Sequence, residues 1–191
     1  MLVVSRNREK LLNAIIYFLR ETKHCHTLKL FKLLNFADFE LFRQKGRTIT
    51  GLEYQALPKG PVPTALFDEI KRGGEEDLRK VVGLFEVKDD ITDALLRRDL
   101  KPRAPFDKTW FTKRELKILE RVAEFFRDLQ AEDMSEFSHE NKKPWSQVYM
   151  EGKGSGRLIR PDLILGTKPL VHDVPDIDRE ELEYRRELLR A

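Results

Sequence analysis

The residues best suited to chemistry cluster at His24-Cys25-His26, two imidazoles flanking the chain's single thiol. Ligands at i and i+2 need one or two more donors to complete a tetrahedral metal site, and only His139 and His172 remain among the histidines. A nucleophilic cysteine would need a base held at the right angle and an orienting group, and neighbours in sequence rarely form such pairs. The cluster therefore reads as a loop following a helix, with His24 near the negative end of the helix dipole. No metal, cofactor or catalytic set is expected. Gly152-Lys-Gly-Ser-Gly-Arg157 resembles a phosphate loop only in composition. It lacks the order of glycines, lysine and hydroxyl that folds backbone amides around phosphate before a helix, and reads as a flexible linker. Lys142, Lys143, Lys153, Arg157 and Arg160 form a local basic excess, which suits nucleic acid, an acidic protein surface or simple solvation.

The more informative stretches carry no reactive group. In Met134 to Tyr149, a helical approach through Met134 and Phe137 ends at Ser138-His139, and Pro144-Trp145 opens a new short helix. Proline costs nothing in a first helical turn, and the adjacent indole offers a large apolar face with one donor. His139 is expected to be a structural hydrogen-bond partner, satisfying Asp38 or a free backbone carbonyl. Upstream lie Leu30-Phe-Lys-Leu-Leu-Asn-Phe-Ala-Asp38, Arg47-Thr-Ile-Thr-Gly-Leu-Glu-Tyr-Gln-Ala56 and Lys59-Gly-Pro-Val62. Gly60-Pro61 reads as a fixed turn, with Gly60 in a conformation other residues avoid.

These pieces, in this order, resemble the antitoxin family named after SocA, also called the Panacea domain and the phage-associated GepA-like proteins. The likeness spans residues 8 to 150. It implies a protein that binds and neutralises a protein toxin encoded by an adjacent gene, with a protease or chaperone as further candidate partners, and it implies no catalytic residues. The motif positions that serve partner binding or the scaffold are Lys32, Asp38, Gly60, Pro61, His139, Pro144 and Trp145. Two features stand apart from the likeness: no appended helix-turn-helix follows, and the segment after Tyr149 lies beyond it.

The elements that must position these residues follow from periodicity. Leu11, Leu12, Ile15, Ile16 and Leu19 mark a first amphipathic helix. Thr27 opens a second that is apolar on nearly every side to Phe42 and stops near Gly46, so it belongs in the centre of a domain. Lys29, Lys32 and Glu40 are expected on one solvent stripe, while Asn35 and Asp38 point inward and need partners. Thr48 to Thr50 reads as a short strand. Pro63 starts a helix stopped by Gly73-Gly74, and Val81 to Val87 with Ala94 to Leu100 reads as a hairpin about Asp89-Asp90. Thr112-Lys-Arg-Glu115 is a capping box ahead of Leu116, Leu119, Val122, Ala123, Phe126 and Leu129. A charged helix from about Asp178 to Arg190 ends the sequence.

The fold class is therefore mainly α, a single compact helical domain with a small β-hairpin, α+β being the alternative. Residues 1–150 form the antitoxin-like unit, and 151–191 an extension of flexible loop and terminal helix. At 191 residues such a chain buries roughly 70% of its unfolded surface without disulfides. Its 36 basic and 33 acidic side chains are interleaved, so the +3 balance makes no phosphate-binding surface. Leu11 to Leu19 is far short of the roughly 20 apolar residues that span a bilayer, and Met1 to Arg6 has its charge on the wrong side for a signal peptide. A cytoplasmic, non-enzymatic antitoxin is the expected function. The alternative is a nucleic-acid-binding transcriptional regulator reading DNA through the second helix. That helix is too poor in groove-reading side chains for specific DNA binding to be expected.

Overall fold

The computed structural model describes residues 7–88, 95–139 and 143–169, with Glu180 and Glu183 as isolated positions. The Asp89-Asp90 turn, His172 and the C-terminal helix about 178 to 190 lie outside the described residues. The architecture is mainly α with small β elements, as the periodicity predicts.

At its centre is α2 (Thr27–Lys45), buried along almost its whole length. A helix apolar on all sides has no solvent face to offer, so other elements must surround it. Its end is set by Gly46, whose φ of 61° places the chain in the left-handed conformation that closes a helix, with its N–H donating to Phe42 O. Two groups of neighbours do the covering. On one flank α1 (Asn7–Glu21) and α5 (Lys113–Phe125) pack against α2 and each other. The Thr112–Glu115 capping box is present in both halves, starting α5 where the spacing predicts. On the other flank lie the antiparallel strands β2 (Gly60–Val62), β1 (Tyr54–Leu57) and β5 (Leu158–Ile159), in that order. Covering them are α6 (Asp133–His139), α7 (Pro144–Tyr149) and the 3-10 turn Pro161–Ile164.

Between these, α3 (Thr64–Lys71) follows Pro63 as expected, and α4 (Glu76–Val81), which periodicity does not predict, leads into the hairpin of β3 (Val82–Lys88) and β4 (Leu95–Pro102). Thr48 to Thr50 is not a strand. Its backbone N–H groups turn inward to a side chain of α2 instead of pairing with a neighbouring strand.

The segment after Tyr149 is fastened to the rest. Gly156 N–H donates to Ala56 O, Ala56 N–H to Arg157 O, and Ile159 pairs with Tyr54. Gly154 N–H donates to Tyr149 O, and a Cβ at Gly154 would lie 1.7 Å from Val148 O. Gly154 thus permits a close backbone approach, and Gly152 and Gly156 take φ values of 94° and 80°, where composition suggested a loose linker.

Candidate functional site

The polar residues of α2 do not form a solvent stripe. Lys29, Lys32 and Glu40 are all buried. Lys29 lies against the loops that follow α1 and α5, and its ammonium donates to Lys23 O (2.7 Å), Arg127 O (3.2 Å) and Leu129 O (2.6 Å). One turn on, Lys32 donates to Ala131 O at 2.5 Å and to Ser135 Oγ of α6. Desolvation lowers both lysines, Lys32 to about 8. Glu40 lies 3.6 Å from Arg43 Nε and accepts from Gln44 Nε2. Arg43, also buried, donates to Thr167 O (2.7 Å) and Thr167 Oγ1 (2.8 Å).

Asp38 takes its expected inward position. Its Oδ1 accepts the backbone N–H groups of Ile49 and Thr50, each at 2.8 Å, and its Oδ2 accepts the hydroxyls of Thr50 (2.5 Å) and Tyr54 (2.8 Å). Burial pushes the carboxyl up to about 6 against these four bonds, each of which favours the charged form. Its function is structural: it folds residues 47–54 back on α2 and delivers Tyr54 into β1.

His139 is not the partner of Asp38. Its ring lies on Trp145, centroids 3.7 Å apart at 15°, and Trp145 in turn stacks on Tyr149 at 4.4 Å and 18°. The hydrogen bond expected of His139 is made by its neighbour: Trp145 Nε1 donates to Leu57 O at 2.9 Å, tying α7 to the end of β1. His139 Nε2 is buried without a hydrogen bond, and desolvation followed by the charge of Lys32 lowers its affinity for a proton. An imidazole stacked on an indole is a packing element. Pro144 is at the first turn of α7 and buried, as proline chemistry requires. Gly60, with φ 120°, and Pro61 pair with Leu57 and Ala56 across the β1–β2 turn.

Thus six of the seven motif residues, Lys32, Gly60, Pro61, His139, Pro144 and Trp145, belong to the flank of α2 that holds α6, α7 and the small sheet, with Asp38 anchoring that sheet from beneath. Sequence reasoning missed Lys29, Arg43 and Tyr54. A lysine or arginine inside an otherwise apolar helix was the available signal, and it indicates burial with carbonyl acceptors.

The His24-Cys25-His26 cluster does form the loop between α1 and α2, with His24 at φ 53°. Burial pushes the Cys25 thiol up to about 11, away from the thiolate a nucleophile needs. Among the described residues no three His, Cys, Asp or Glu side chains converge as metal ligands, and no helix is long and apolar enough to cross a membrane.

Compared with curated proteins and with solved structures, the chain has no significant match. Residues 30–146 match the family described as "Antitoxin SocA-like, Panacea domain". That span runs from the first turn of α2 to just past the Pro144-Trp145 pair and covers more than half of the chain, so this protein belongs to the SocA-like, Panacea-domain antitoxin family.

Proposed function

We propose that the protein is the antitoxin of a toxin-antitoxin pair, neutralising a protein toxin encoded beside it by direct binding in the cytoplasm. Family membership carries this reading. It gains support from the site: every motif side chain is engaged in holding the scaffold, and none is poised as an acid, base or nucleophile. Binding, without turnover, is the mode of action. The scaffold keeps α6, α7 and the small sheet in fixed relation to α2, and a rigid surface loses little conformational entropy when a partner docks.

The regulator reading loses its main element. With α2 buried from Lys29 to Gln44 at every position but Phe36, it has no continuous face to lay in a DNA groove without unfolding the domain.

Co-expression tests the proposal. The neighbouring gene alone should arrest growth, the pair should restore it, and the two products should co-purify. Normal growth with the neighbour alone, or rescue without a complex, contradicts it.

A further inference from the structure

A cavity of about 50 Å³ lies between α2, α7 and the 3-10 turn, with Phe39, Trp145 and Ile159 in its apolar walls. It has room for a few waters or one carboxymethyl-sized group. Into it projects Asn35, 7% exposed, whose Nδ2 makes no hydrogen bond. A buried amide donor without an acceptor costs about 1 to 3 kcal/mol, so this position is disadvantageous for the isolated fold.

The polar part of the lining is biased in charge. Among the described residues, Arg43, Lys143 and Lys168 line the same cavity against one carboxylate, Glu40, which already lies 3.6 Å from Arg43 Nε. Arg43 and Lys143 are fixed in place by the carbonyls of Thr167 and Lys168, and the Lys168 side chain is exposed. A donor amide inside and an excess of cations around it select a group that accepts hydrogen bonds and bears negative charge. The apolar walls accommodate the methylene that carries it.

We propose that this cavity is the subsite for an aspartate or glutamate side chain of the bound partner protein, with Asn35 Nδ2 donating to the carboxylate and Lys143 and Lys168 supplying charge. This rests on the reading of the chain as a toxin-binding protein, and it gives that reading a point of contact. An acidic side chain fits better than a chain terminus, whose adjoining peptide would have to enter a space of this size as well.

The test needs no toxin. The full-length ¹⁵N-labelled protein is titrated with acetyl-glutamate-amide, with acetyl-glutamine-amide, and with acetyl-alanyl-glycine as a C-terminal carboxylate. The proposal predicts saturable shifts of the Asn35 side-chain amide and the Trp145 indole with the glutamate probe at about millimolar concentration. Lys168→Glu, at an exposed position, should weaken that binding about tenfold without changing the melting temperature. Asn35 resonances that do not move, that move equally with the glutamine probe, or that respond only to the C-terminal probe overturn it. In the growth assay with the neighbouring gene, Lys168→Glu and Asn35→Leu should both weaken rescue, Lys168→Glu melting as wild type and Asn35→Leu at or above the wild-type temperature because it removes an unpaired buried donor. Full rescue by both variants overturns the subsite and leaves the antitoxin reading standing. Probe binding with no toxic neighbour does the reverse.

Discussion

The two flanks of α2 hold a buried carboxylate in opposite ways. Toward α1 and α5, Glu115 meets cations: Lys10 Nζ at 2.7 Å and Arg47 Nη1 at 2.8 Å, with the Thr112 N–H on its other oxygen. Although burial opposes ionisation, Lys10, the Thr112 N–H and Arg47 hold its carboxyl below the usual glutamate range. Toward the small sheet, Asp38 meets only neutral donors, and its carboxyl is raised to about 6. Lys32, on the same flank, mirrors Asp38, held by a carbonyl and a hydroxyl. Ion pairing at Glu115 and dipolar solvation at Asp38 both make burial tolerable, but they differ in what a mutation or a proton does to them.

The largest test removes an acceptor outright. Asp38→Ala leaves two backbone N–H groups and two hydroxyls buried without partners, and should cost about 3 to 5 kcal/mol in denaturant unfolding. Asp38→Asn keeps an oxygen for the two N–H groups, while the Thr50 and Tyr54 hydroxyls can turn to accept from its amide. Its cost should be about 1 kcal/mol. Equal losses for the two variants would show that the negative charge, not the acceptor geometry, holds the loop.

Loss of the aromatic stack should come next. Trp145→Ala removes a buried indole and its bond to Leu57 O and should cost about 3 kcal/mol, with toxin protection failing because the fold fails. Loss of protection at an unchanged melting temperature would assign Trp145 to the interface instead.

Protons act with opposite signs on the two flanks. Asp38 binds its proton more tightly folded than unfolded, so its contribution to stability is full below about pH 4 and is lost as pH rises through about 6. Glu115 is lowered, so its contribution is present above its unfolded value of 4.5 and is lost as pH falls through its depressed folded pKa. Asp38→Asn should therefore flatten the wild-type decline in stability between about pH 4 and 6, whereas Glu115→Gln should remove an acid-induced loss at lower pH. Both are read from stability against pH.

What the sequence shows depends on where each interaction's partner lies. The capping box joins Thr112 to Glu115, three residues apart, and is legible as a pattern. So are the apolar wrap of α2 and the Pro144 helix start. Apart from Lys23 O, the carbonyls that take Lys29 and Lys32 are contributed by residues 127–131, about a hundred positions away, and no local pattern announces them. Charged type alone argued for solvent, and tertiary acceptors overrode it. His139 misled for a related reason. An imidazole's hydrogen-bonding capacity is visible in its type, whereas its stacking on Trp145 depends on how α6 and α7 meet.

The smallest expected effect concerns Lys32. Its lowered folded pKa means that stability should rise as pH increases from about 8 to its unfolded value near 10.5, because the folded chain sheds the proton first. Lys32→Met should abolish that rise and change stability at neutral pH by no more than about 1 kcal/mol, since loss of two hydrogen bonds offsets relief of a buried charge.

Stoichiometric titration of the purified toxin with the purified protein tests the central claim most directly. Neutralisation by binding predicts that toxin activity falls linearly with added protein, vanishes at a fixed molar ratio, and returns when the complex is separated under denaturing conditions. Complete inactivation by a small fraction of an equivalent, persisting after separation, would show turnover and contradict it.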